Sequence, residues 1–161
     1  MQTTRHTIQM MLRYSAWANE RMFTAVAAQV QAHEKLLAPM AHLHRVDLIW
    51  QANLEGRSHG FSSRAPQAPP PLGVLRAAMR ECDAWFLDYA STLPDERLDE
   101  NVHFNFVGGG PGRLTRAQIL LHVANHKTYH RGFVAQMLLE LGSTPPIMDL
   151  PVFLRDGPST A

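Results

Sequence analysis

The sequence is short of cysteine, of net charge and of long apolar runs, and each shortage removes a class of protein. One cysteine, Cys82, stands among 161 residues, so the chain can build neither an internal disulfide nor a thiolate metal cluster. Cys82 falls in the apolar stretch Cys82-Asp83-Ala84-Trp85-Phe86-Leu87, where a thiol is expected to behave as a small buried hydrophobe. The 15 basic and 14 acidic residues are interspersed and leave a net charge of +1. Such a balance offers no electrostatic footprint for nucleic acid or anionic lipid. No window approaches the roughly 20 apolar residues of a membrane span. Arg5, His6 and Arg13 interrupt the first twenty residues, where an export signal would keep an unbroken apolar core. A cytoplasmic protein bound to neither membrane nor nucleic acid is expected.

Strand signal is scarce as well, and helical periodicity takes its place. One domain over residues 1–161 is expected, because a chain of this length buries enough apolar surface to stand without staples. Four segments repeat apolar residues every three or four positions. The first runs from about Thr7 to Gln29, the second follows Pro39 and runs to about Leu54, and the third runs from about Leu72 to Thr92. The fourth starts at Thr115, with Gln118 at the capping-box spacing, and ends near Leu141-Gly142 before Pro145-Pro146. Between the second and third lies a long Ser-, Gly- and Pro-rich connection, Gly56 to Pro71. Before the fourth, Val102-His103-Phe104-Asn105-Phe106 alternates like a strand and meets a glycine-rich turn. That turn lacks the lysine of a phosphate loop. The tail from Ile147 to Leu154 is apolar enough to pack back. The expected fold is all-α, a four-helix bundle with long connections and a small hairpin-like loop before the last helix.

Chemistry concentrates on the fourth helix. His122, His126 and His130 follow one another at four-residue steps, and each step turns about 40° past a full circle, so the rings lie along one face. Ile119, Val123, Phe133 and Met137 share that face, which predicts imidazoles directed into the bundle. A divalent ion relieves the cost of burying such a cluster by binding neutral ring nitrogens, and an i, i+4 pair is a common way to hold it. A third ligand must come from another helix. His42 shares a face with Val46, Ile49 and Trp50, whereas His44 is turned roughly 200° away. Spacing alone leaves the choice between His122 and His130 open. Asp47 could orient a ligand, pair with Arg131 or stand in water. Three protein ligands leave a fourth position for water or a thiol, the pattern of a catalytic zinc site, and imidazole also suits nickel, copper or iron.

Taken together, these residues resemble the DinB/YfiT superfamily of bacterial metal-binding four-helix bundles. The likeness is carried by Tyr14-Ser15-Ala16-Trp17-Ala18-Asn19, by His42 with Asp47-Leu48-Ile49-Trp50, by Leu121-His122, His126 and His130-Arg131-Gly132, and by Leu141 to Asp149. It covers nearly the whole chain. The resemblance implies His42, His126 and His130 as the metal ligands, with His122 a neighbour, zinc or nickel as the leading metals, and a homodimer. The relatives it points to are largely thiol-dependent transferases or isomerases that use the low-molecular-weight thiols mycothiol or bacillithiol, and a metal-bound thiol or water makes a thiol transferase or a hydrolase the expected enzyme. The competing reading is a non-catalytic metal-binding stress-response dimer. Trp17 and Trp50 are read as packing residues, Tyr14, Asn19 and Tyr129 as bridges between helices or walls of the metal face, His103 as a loop residue, and Arg131 as an ion-pair partner.

Overall fold

The computed structural model describes residues 2–62 and 68–158. Helix α1 spans Gln2–Ala27, α2 His33–Glu55, α3 Leu72–Thr92 and α4 Arg116–Glu140. A hairpin of β1, Asn101–Asn105, and β2, Pro111–Thr115, precedes α4, and a short helix α5, Leu150–Asp156, closes the chain. Two 3₁₀ turns, Val30–Ala32 and Asp95–Asp99, stand before α2 and before the hairpin. Both α1 and α2 pack chiefly against α3 and α4. Among the described residues no helix is long and apolar enough to cross a membrane. Residues 63–67 of the long connection lie outside the described residues.

The bundle is as expected, and two helix starts differ from expectation. The first helix begins at Gln2 and the second at His33, so Pro39 lies inside α2 instead of before it. Proline removes one amide donor and costs about 3 kcal/mol in a helix interior. Here Leu36, Leu37, Met40 and Leu43 around it are all buried, and four apolar side chains at roughly 1.5–3 kcal/mol each outweigh that cost. Tertiary packing overrides propensity.

The hairpin pairs Val102 with Leu114 and Phe104 with Gly112 in antiparallel register. Val102 and Phe104 face the core while their neighbours face water, the period of two that the sequence showed. At the start of α4 the Thr115 hydroxyl accepts from the Gln118 amide at 3.2 Å, and the Gln118 side chain accepts from the Thr115 amide at 2.8 Å. Thr115→Ala should lower stability by about 1 kcal/mol, read from the urea midpoint at unchanged slope. The far end of α4 stops at Gly142, which takes a left-handed φ of 70-odd degrees as helix-terminal glycines do. In α5, Phe153 is buried against Tyr14 and Ala18 of α1, so the tail does fold back.

Besides the small cluster under α5, two larger apolar clusters fill the bundle. One gathers Trp50, Leu54, Phe86, Phe104 and Val123 beside the hairpin; the other gathers Phe23, Leu36, Met40, Leu75 and Val134 at the opposite end. Between them every long helix places buried polar residues: Ser15 and Asn19 on α1, Asp47 on α2, Asp83 on α3, Lys127 and Arg131 on α4. This polar layer sits at the level of the histidines.

Candidate metal centre

His42 of α2 and His126 and His130 of α4 converge. One ring nitrogen from each lies within 4.8 Å of the others, a group that could hold a metal ion. Ring centroids are 4.7 Å apart for His42 and His130, 4.5 Å for His126 and His130, and 5.4 Å for His42 and His126. Burial pushes the basicity of all three down, and the neighbouring rings add to it for His42 and His126. His126 is lowered furthest, to about 3. Three neutral imidazoles crowded in a partly desolvated niche are a donor set matched to a divalent ion, which takes imidazole in its uncharged form.

His122 does not join the trio. Its ring packs edge-on against Trp50 at 5.1 Å and lies 5.5 Å from that of His126. His44 also stands apart, half-buried on another side of α2, where it lines a cavity of about 390 Å³ with Arg45 and Phe61. A second cavity, of about 350 Å³, is lined by His42, His122 and His126 together with Trp50, Phe104 and Phe106. Both cavities include His42.

The rings do not point into the core as the sequence suggests. His126 and His130 are half-buried, and Phe133 of the same face is largely exposed. Ile119 and Val123 of that face are buried as expected, but from the middle of α4 onward the core-facing positions are Lys127, Arg131, Val134 and Leu138, which continue from Leu120 and Ala124, a stripe one position further round the helix. Lys127 holds that place because two carboxylates meet it. Its ammonium reaches Asp47 Oδ2 at 2.8 Å and Asp83 Oδ1 at 2.6 Å, with only 1% of its side chain exposed. Asp47 is thus neither solvated nor paired with Arg131. Burial pushes its carboxyl up to about 7, with Lys127 opposing and Asp83 adding to the rise. For Lys127 burial disfavours the charge, but the two carboxylates prevail and hold it above the ordinary lysine range.

Arg131 differs from the expected ion pair in another way. It donates to Ser15 Oγ at 3.1 Å, Asn19 Oδ1 at 2.8 Å and Thr128 Oγ1 at 3.0 Å, and stacks on Tyr14. Neutral oxygens and a ring face satisfy it. Asn19 in turn donates to Asp83 Oδ2 at 2.9 Å, which links the arginine to the buried triad. Tyr14 donates to the Met148 carbonyl at 2.8 Å. Tyr14 and Asn19 are therefore bridges between elements, while Tyr129 is exposed beside His130. Trp50 is buried in the core, and Trp17 packs on Phe153. Cys82 is buried, and its thiol is pushed up to about 12, first by burial and then by Asp47. It is not a nucleophile.

Lys127 and Asp83 were missed in the sequence, although a signal was there. Lys127 lies on the stripe of Leu120, Ala124, Val134 and Leu138, and Asp83 lies one turn from Met79. A charge of each sign on two core stripes is the pattern of a buried pair.

The family described as "DinB family" matches residues 1–158. "Protein DinB" of Bacillus subtilis (strain 168) is 23% identical over 156 residues, which cover 88% of this chain and 90% of that protein. No solved structure matches.

Proposed function

Given that the chain belongs to the DinB family, we propose that His42, His126 and His130 hold one divalent ion, zinc or nickel, and that the protein is a metal-dependent transferase acting with a low-molecular-weight thiol. The observation that carries this reading is the convergence of three neutral imidazoles, of which His42 lines two cavities and His126 one of them. Three ligands leave room for an exchangeable fourth, as catalytic zinc sites do. An ion held there supplies Lewis acidity, which lets a thiol lose its proton near neutral pH.

Transfer is favoured over hydrolysis by the second cavity. A hydrolase needs room for one organic substrate and water, whereas spaces of about 350 and 390 Å³ sharing His42 suit two organic reactants. In the transfer the thiol proton passes to solvent and the sulfur lone pair forms the bond to an electrophilic carbon. The leaving group departs with the electrons of the bond it gives up. The chain's own part is to hold both reactants in contact, which by itself lowers the barrier.

Elemental analysis of the purified protein tests the first step. Near-stoichiometric metal is expected in the wild type and its loss in His126→Ala. Absence of metal after reconstitution with zinc or with nickel would overturn the reading.

A further inference from the structure

The hairpin-side cavity has a construction that the trio does not explain. Its wall is aromatic: Trp50 and Phe104 meet edge to face at 4.9 Å, and Phe104 and Phe106 at 5.1 Å. Phe106 is 48% exposed, so its ring stands at the mouth instead of being absorbed into the core. The register places Gly112 of β2 opposite Phe104. A Cβ at Gly112 would lie 2.5 Å from the Phe104 ring and 3.0 Å from that of Phe106. Atoms that close cannot coexist, so glycine is what lets both rings lie across β2.

One polar group of this cavity lacks a partner. The Nδ2 of Asn53 is buried and makes no hydrogen bond among the described residues, an unfavourable state that an acceptor would relieve. Arg45 also lines the cavity.

We infer that this cavity binds the electrophilic substrate, and that the substrate is a flat apolar molecule bearing an acceptor oxygen such as a carboxylate. Phe106 and Phe104 select the flat part and Asn53 receives the oxygen. Gly112 keeps the ring wall in place. The assignment of the bound molecule as substrate rests on the transferase reading; the binding itself does not.

The test therefore uses metal-free protein and 2-naphthoate as probe, followed by titration calorimetry. Wild type should bind 2-naphthoate at least tenfold tighter than decalin-2-carboxylate, its non-planar counterpart. Phe106→Ala should weaken the probe about tenfold, in line with an aromatic pair plus the apolar contact it brings, and Phe106→Leu should restore part of that without restoring the preference for the flat probe. Asn53→Leu should weaken both probes alike. Equal binding of the flat and non-planar acids, or an unchanged affinity in Phe106→Ala with helical content intact, would overturn the inference. A protein that binds the probe but never metal would keep the cavity assignment and discard the metal reading.

Discussion

Lys127→Met is expected to abolish folding or to lower stability by about 3–5 kcal/mol, because it leaves Asp47 and Asp83 facing each other in a dry interior. Asp47 has 2% of its side chain exposed, and Asp83 is nearly as enclosed. Neither can recover water without opening the bundle. A domain of this size has only about 5–15 kcal/mol in hand, so the loss is a large share of the whole. Circular dichroism and urea titration measure it. The triple variant Asp47→Asn, Asp83→Asn, Lys127→Met should recover most of the loss, since it removes the charges and leaves Asn19 an oxygen to donate to at position 83. A stable, cooperative Lys127→Met protein would show that the carboxylates simply take up protons at little cost, and the layer would then contribute no net stability.

The second large effect is with pH. His42, His44, His122, His126 and His130 are all lowered, with burial as the first cause in each. Below about pH 6.5 the unfolded chain takes up protons on these rings, whereas the folded chain resists until lower pH. Their contribution is therefore present above that pH and is lost as the solution is acidified. Asp47 acts in the opposite sense. Its folded carboxyl titrates at about 7 against 3.8 unfolded, so its contribution is present in acid and is lost as pH rises through that window. Five histidines against one carboxyl decide the sign. Even two net protons taken up on unfolding near pH 5 give a slope of about 2.7 kcal/mol per pH unit. The urea midpoint of the metal-free protein should fall from pH 7 to pH 5, less steeply in His126→Gln and more steeply in Asp47→Asn. A midpoint that is flat or rises in acid would mean that the rings are hydrated in the folded state.

Much of this was legible in the chain because it was local. The capping box at Thr115, the alternation of Val102 to Phe106 and the four-residue steps of the histidines are short-range patterns, each fixed by backbone geometry. The positions missed depend on what another helix offers. Pro39 stays inside α2 because distant side chains bury its neighbours. Lys127 turns inward because Asp47 and Asp83 wait there, and that small rotation moves the histidine face from core to rim. The DinB resemblance named the trio that the fold brings together. It carried nothing about Asn53 or Gly112, whose significance exists only once the hairpin lies over α2.

His42 comes from α2, and His126 with His130 from one face of α4, so an ion offered to the refolding chain meets two different partners in time. Early, as α4 forms alone, it finds a two-toothed site that any exposed i, i+4 pair could match. The third nitrogen arrives only after a long loop has closed and α2 has docked, a step whose entropy local structure cannot prepay. Only the finished bundle offers the full grip, so an ion would slow departure from the native state far more than it hastens arrival. Its effect is that of a latch on the last docking event rather than a seed for the first.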